Sequence, residues 1–190
     1  MVEDPRYLQE RRATLAALDL ESIDAPIRDV VSAFAPLPHC FTLQSCSGHF
    51  VCTPDQDPHT LDPVPLRQPG SVRYRIAYLA VCIESSRSGR ALLESLRDVT
   101  AIDPDYVQFG SAGWFWERWV NSYALQVEPR RCMAKDEAVL QVGEALRVQH
   151  TRDLFFSELR KLVAGEVGER QAGSQADAAD EAHGGTRTAS

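Results

Sequence analysis

Apolar residues recur at helical spacing in the first part of the chain. Residues 5–18 place three leucines among alanines and charged residues, which is typical of an amphipathic helix. A second helix is predicted after Asp24, because an aspartate N-cap followed by Pro26 is a common way for a helix to begin. Its apolar residues fall on one helical face, and Pro36 and Pro38 end it.

Strand patterns follow these two helices. Residues 40–43 and 49–52 are predicted to form two strands around a small polar turn, Ser45-Cys46-Ser47-Gly48. Residues 54–70 contain five prolines and are predicted to form a loop. Residues 72–83 are rich in β-branched and aromatic side chains and give the strongest strand pattern in the chain.

The remaining pattern alternates between the two types of element. A helix is predicted from Ser85 or Ser86 to about residue 99, and strands over 106–109 and 120–127. Residues 135–163 are predicted to form one long helix, or two helices joined near Thr151. This order predicts an α+β fold, a mixed or antiparallel sheet packed against helices. The glycine-rich turn of a Rossmann cofactor site is missing, so a Rossmann fold is not expected.

Composition adds the domain organisation and the setting. The 190 residues predict a single domain over 1–164. Residues 165–190 are acidic and lack aromatic side chains, which predicts a disordered tail. A net charge of −7 argues against a DNA-binding protein, although it leaves recognition of one nucleotide in a pocket open. Five cysteines, without a signal peptide or a transmembrane segment, predict reduced thiols, a cytoplasmic location and no membrane partner.

The polar turn holds most of the candidate chemistry. Cys46 and His49 have the spacing of half a zinc site, but structural zinc sites normally supply two compact ligand pairs, so no metal site is predicted. Cys46 is also a candidate nucleophile beside His49, although no third residue that would orient the imidazole is identifiable. Two other interpretations stay open: thiols that simply pack on a sheet, and a turn that binds a ligand.

Three further positions are candidate binding residues. Arg75 alternates with apolar residues on its strand and has the chemistry to grip a phosphate or carboxylate, or to form a solvated strand face. Trp116 lies in an aromatic run over 114–119 that suits either base stacking or core packing. Ser111 follows a predicted strand, and a deep cleft that joins it to Arg75 and the turn would favour an enzyme over a binding module.

Thr42 and the Ser45-Cys46-Ser47-Gly48 turn together resemble the Thr-x-x-Ser-Cys-Ser-Gly-Arg signature of the wybutosine-synthesis methyltransferase family, the third protein of that tRNA pathway. The preceding amphipathic helix and the later strand–helix unit over 74–99 are also similar to that family. The resemblance extends over roughly residues 5–130, and its specific part is the signature. Gln44 and His49 depart from it, since the family has serine and arginine at these positions.

The resemblance implies a reaction and a set of ligands. The family uses S-adenosylmethionine to methylate a ring nitrogen of a guanine-derived tricyclic base in tRNA, on an α+β fold that is not Rossmann-like. The implied ligand contacts come from Ser45, Ser47 and the backbone N–H groups of the turn, including those of Cys46 and Gly48. Replacing the arginine by His49 brings the tRNA substrate into question. The alternative is a non-catalytic module that binds a nucleotide, RNA or a protein on the same fold.

Overall fold

A computed structural model of the chain describes residues 1–67, 70–112, 120–132 and 136–184, with side chains to residue 168. The helices are α1 (Tyr7–Ala16), α2 (Arg28–Phe34), α3 (Arg87–Asp98) and α4 (Val142–Gly184). The strands are β1 (Cys40–Cys46), β2 (His49–Val51), β3 (Ser71–Arg75), β4 (Ala77–Ile83), β5 (Val107–Ser111), β6 (Ser122–Val127) and β7 (Glu137–Gln141).

The strands form two antiparallel sheets. The four-stranded sheet has the order β1-β4-β6-β5, and the three-stranded sheet has the order β2-β3-β7. Every strand pair of the described residues is antiparallel, whereas a Rossmann fold is built on parallel strands. The predicted α+β fold with an antiparallel sheet against helices is therefore confirmed. Among the described residues, no helix has the length and apolar character needed to cross a membrane.

Two strand connections pass directly from one sheet to the other. Only Ser47 and Gly48 separate β1 from β2, and only Ile76 separates β3 from β4. Because β1 pairs with β4 and β2 pairs with β3, these four strands form one antiparallel ribbon that bends at residues 47–48 and 76.

This ribbon corrects two expectations from the sequence. Ser45 and Cys46 belong to β1 rather than to a turn, and residues 72–83 form two strands rather than one.

Tyr74 fixes the inside of the bend. Its side chain is fully buried and stacks on Phe50 with 4.6 Å between ring centroids. The hydroxyl donates to the carbonyl of Val127 at 2.8 Å and accepts from the backbone N–H of Ala77 at 2.9 Å. A buried hydroxyl with both functions used holds β4 and β6 in register next to the bend.

The helices cover the sheets on both sides. Helix α4 packs against α2 and against β3, β6 and β7. Helix α1 packs on the other face of the four-stranded sheet, where Tyr7, Phe41 and Cys82 form a small separate cluster. Helix α3 begins as predicted, because the Ser86 hydroxyl accepts from the Gly89 N–H at 3.0 Å.

The C-terminal part differs from expectation. Residues 137–141, predicted as helix, form strand β7, and α4 runs through Thr151 without a joint. The five-residue strand alternates exposed and buried side chains, which is the period-2 pattern of an edge strand. The division of the chain into a body over 1–164 and a disordered tail over 165–190 stays a prediction.

A buried carboxyl group lies at the end of β6. Glu128 is fully buried, and the amide of Gln126 donates to its Oε1. Its Oε2 has no hydrogen-bond partner among the described residues. Burial raises the pKa of Glu128 to about 7, against the opposing effect of the Gln126 hydrogen bond.

The stability of the protein should therefore fall as pH rises from about 4.5 to about 7, because the unfolded chain loses this proton before the folded one does. The rise of this pKa from 4.5 in the unfolded chain to about 7 in the folded one corresponds to roughly 3 kcal/mol. Glu128→Gln should remove this slope in urea unfolding measured at several pH values. Glu137→Gln, at an exposed position of β7, is the matched control and should keep it. Equal slopes in Glu128→Gln and the wild type would contradict the assignment.

Candidate functional site

The bend of the ribbon buries four consecutive polar or small residues. Cys46, Ser47, Gly48 and His49 are all buried, although they connect two sheets at the rim of the fold. Gly48 has φ +80°, a conformation that favours glycine. A Cβ at this position would lie 2.9 Å from the Cβ of Ala77, so only a residue without a side chain allows the two arms of the ribbon to approach this closely.

His49 is held at both ring nitrogens. Nδ1 lies 3.0 Å from the carbonyl oxygen of Thr60, and Nε2 lies 3.4 Å from Oδ2 of Asp24. The imidazole is only 2% exposed. Hydrogen bonding to Asp24, and then to Cys46, raises the pKa of His49 to about 10. In the protein without a bound ion, the ring is therefore an imidazolium between two oxygen acceptors.

Asp24 is the residue of this site that the sequence pattern did not identify. It is the N-cap residue of the short 3-10 helix Ala25–Ile27, as its position before Pro26 predicts, but its side chain makes no capping hydrogen bond. Instead Oδ2 accepts from the Ser47 N–H at 2.7 Å. The hydrogen bond with His49 holds the pKa of this carboxyl far below its usual range. Asp24 therefore joins the segment before α2 to the bend.

Cys46 completes a three-residue cluster. Its thiol is 6% exposed, and Sγ, one oxygen of Asp24 and one ring nitrogen of His49 all lie within 4.8 Å of one another. None of the five cysteines forms a disulfide in this structure. The third group that would orient the His49 imidazole, which the sequence did not reveal, is Asp24.

A cleft of about 260 Å³ opens beside the bend. The Ser47 hydroxyl is buried in the wall of the cleft. It lies close enough to Asp24 to lower the pKa of that carboxyl. Within the described part of the chain, however, it makes no hydrogen bond of normal geometry. The cleft is lined by one residue of the bend, two apolar residues of nearby loops and four residues of α4: Ser47, Pro26, Leu61, Arg152, Asp153, Phe156 and Arg160.

The two arginines of the cleft are anchored on the polypeptide. Arg152 lies over the ring of Phe50, 5.2 Å from its centroid, and donates to the Gly48 carbonyl at 3.4 Å. Arg160 donates to the Pro26 carbonyl at 2.6 Å and forms a bidentate pair with Asp29. Both guanidiniums are held beside the cleft and retain further N–H groups, since each has five.

The structure brings some of the predicted site residues together and separates others. Arg75 pairs with His49 across the ribbon, and its guanidinium lies 3.4 Å from Nδ1 of His59. Ser45 is half-buried, and the alternation of β1 directs its side chain to the face opposite that of Cys46. Ser111 ends β5, three strands away from β1 and at the other edge of the sheet, so the described residues do not place it beside the turn. Trp116 lies outside the described residues.

No protein-family model matches the chain, and no curated protein matches it. Among solved structures, the chain is similar to the PH1069 protein from Pyrococcus horikoshii, with 12% identity, a TM-score of 0.48, and coverage of 84% of this chain and 91% of that one. It is also similar to a hypothetical protein from Aeropyrum pernix, with 10% identity, a TM-score of 0.42, and coverage of 74% and 98%. Likenesses at this level carry no argument about function.

Proposed function

We propose that this chain is a divergent relative of the wybutosine-synthesis methyltransferases that binds S-adenosylmethionine and acts on a guanine-derived base of tRNA in the cytoplasm. One observation carries the proposal. The signature-like segment lies in the wall of a cleft, and the buried Ser47 hydroxyl there lies near Asp24 but makes no hydrogen bond of normal geometry with a described residue. Buried polar groups in folded proteins normally have partners, so a ligand atom is a reasonable partner for this one.

The residues of the cleft fit the chemical groups of the cofactor. The Arg160 guanidinium suits its carboxylate, and Phe156 and Leu61 offer apolar contact to its purine. Asp153 pairs with Arg152 through Oδ1, and its second oxygen, Oδ2, suits the ammonium of the cofactor. The volume of about 260 Å³ is slightly below the usual range for whole ligands, roughly 300–1,000 Å³. The cleft would therefore hold part of the cofactor, and the remainder would extend from it.

Positioning is what this chain would contribute to the reaction. The bound cofactor supplies an electrophilic methyl group, and an in-line transfer depends mainly on the alignment of donor and acceptor. The Asp24–His49 contact and the Tyr74 hydroxyl hold the bend rigidly, so the Ser47 hydroxyl keeps a fixed direction. Arg152 connects α4 to the same bend through the Gly48 carbonyl, which fixes the opposite wall of the cleft.

His49 is the point at which this chain departs from the family signature, and its placement favours the alternative of a non-catalytic binding module. The family has arginine here, a long cation that suits an anionic substrate. His49 is buried and directed to Asp24 and Thr60, so it offers no cation to a ligand in the cleft. Arg152 and Arg160 are the cations that would meet such a ligand in its place.

Calorimetric titration with S-adenosylmethionine and S-adenosylhomocysteine tests the proposal. We expect saturable binding of both compounds, weakened about fivefold by Ser47→Ala because one buried hydrogen bond contributes roughly 1 kcal/mol. Ser71→Ala, at an exposed position of β3, is the matched control and should bind like the wild type. Absence of binding of both compounds up to millimolar concentration would contradict the methyltransferase assignment. Binding of tRNA under those conditions would then support the non-catalytic module.

A further inference from the structure

The cluster of Asp24, Cys46 and His49 has the composition of a transition-metal site. Carboxylate, thiolate and imidazole are the three side-chain ligand types of zinc, and here they come together at one point of the bend. We propose that these three residues bind a divalent zinc-like cation, with a fourth coordination position left for water or a ligand. This site is separate from the binding of cofactor in the cleft and does not rest on the proposed function.

The separation of the ligand atoms supports coordination. Zinc bonds to nitrogen and oxygen of about 2.0–2.1 Å place two tetrahedral ligands about 3.3–3.4 Å apart. The distance between Nε2 of His49 and Oδ2 of Asp24 is 3.4 Å. A hydrogen bond between an imidazolium and a carboxylate is normally shorter, about 2.7–2.9 Å. The two atoms therefore stand at the spacing of two ligands of one ion, and at a longer spacing than a charged hydrogen bond prefers.

The surrounding contacts are those that orient metal ligands. A zinc-binding histidine usually donates its other ring N–H to a carbonyl or carboxylate, and Nδ1 of His49 lies 3.0 Å from the Thr60 carbonyl. The carboxylate is fixed in turn by the Ser47 N–H, at 2.7 Å from Oδ2. One ligand atom from each of the three residues, Asp24, Cys46 and His49, lies within 4.8 Å of the other two.

Burial and charge agree with the same assignment. Cys46 and His49 are 6% and 2% exposed, so an ion between them would be largely shielded from water. A thiolate, a carboxylate and a neutral imidazole neutralise a divalent ion, which makes its burial affordable. The side chain of Asp24 is 26% exposed and marks the side on which a fourth ligand would enter. Three protein ligands with one open position are typical of catalytic zinc sites rather than structural ones.

Cobalt and zinc titrations of the full chain test this site. Metal-stripped protein should bind one equivalent of Co²⁺ with a thiolate-to-cobalt charge-transfer band, and Zn²⁺ should displace it stoichiometrically. Cys46→Ser should abolish the charge-transfer band and weaken Zn²⁺ binding, measured against a chromophoric chelator, by at least about 100-fold, since loss of an orienting contact alone costs 10–100-fold. Circular dichroism of the variant shows whether it is folded.

Two control variants separate this site from adventitious binding. His59→Gln removes an exposed imidazole whose ring centroid is 5.6 Å from that of His49, and Cys132→Ser removes a half-buried thiol elsewhere. Both should keep the band and the affinity of the wild type. Absence of stoichiometric binding at micromolar metal, or a band that survives in folded Cys46→Ser, would overturn the proposal. Loss of binding in His59→Gln with retention in Cys46→Ser would overturn it as well.

Discussion

The Gly48→Ala variant is expected to lose about 3 kcal/mol or more of unfolding free energy. Alanine at φ +80° costs roughly 1–2 kcal/mol, because L side chains disfavour this conformation. The added Cβ would also lie 2.9 Å from the Cβ of Ala77, 3.1 Å from Cε2 of Tyr74 and 3.2 Å from the Ala77 nitrogen. Overpacking against a fixed backbone adds roughly 1–3 kcal/mol. Urea unfolding of the purified variant measures the sum.

Alanine variants of two other glycines distinguish the cost of the backbone conformation from the cost of overpacking. Gly70 has φ +93° with no atom of the described residues within 4 Å of an added Cβ, so Gly70→Ala should show the conformational cost alone, about 1 kcal/mol. Gly110 has open space among the described residues and no positive φ, and Gly110→Ala should stay within about 0.5 kcal/mol of the wild type. If Gly48→Ala costs no more than Gly70→Ala, the two arms of the ribbon do not approach as closely as described.

The second large effect is expected for Asp24→Asn, at about 3 kcal/mol of unfolding free energy in protein treated with a chelator. The substitution leaves the His49 imidazolium buried without its anion, and breaking a buried ion pair by removing one partner typically costs 3–5 kcal/mol. We expect the lower end of this range of roughly 3–5 kcal/mol, because the Asp24 side chain is 26% exposed and the contact is therefore partly solvated. Asparagine retains an acceptor for the Ser47 N–H, so the loss reports mainly on the charge.

Asp29→Asn is the matched control for this experiment. Asp29 pairs with Arg160 at the surface, with side chains 60% and 42% exposed. Exposed ion pairs contribute roughly 0–1 kcal/mol, so this variant should remain close to the wild type. Equal destabilisation by Asp24→Asn and Asp29→Asn would show that the Asp24–His49 contact does not hold the bend.

Local pattern was sufficient for several elements of the fold. The leucines of α3 and the Ser86 cap depend on neighbours within one or two helical turns, and both were predicted. Residues 72–83 contain no glycine or proline and are rich in β-branched and aromatic residues throughout, so pattern alone did not show that Ile76 divides them between two sheets. The strand β7 was mistaken for helix because Glu137, Ala138 and Leu140 are good helix formers.

The candidate site, like the fold, was predicted from the sequence only in part. Ser47, Gly48 and His49 were selected because small and polar residues between two strands suggest a ligand site, and they do lie together at the bend. Asp24 and Thr60 reach His49 from distant parts of the chain, and Arg152 reaches Gly48 from α4. No spacing in the sequence connects these residues, since tertiary packing alone brings them together. The residue types of Asp24, Thr60 and Arg152 are only a weak indication of a site. Of the three, the sequence pattern drew attention to Asp24 alone, and as a helix N-cap.

We propose that the bend and its cleft form the ligand site of this protein. The most direct measurement is a ¹⁵N NMR titration of the full chain with S-adenosylhomocysteine. We predict saturable shifts of the amide signals of Ser47, Gly48 and Arg152, which border the cleft, and unchanged signals for Gly110 and Ser111 at the far edge of the four-stranded sheet. Unchanged signals at the bend at millimolar ligand, or shifts centred on β5, would contradict the account.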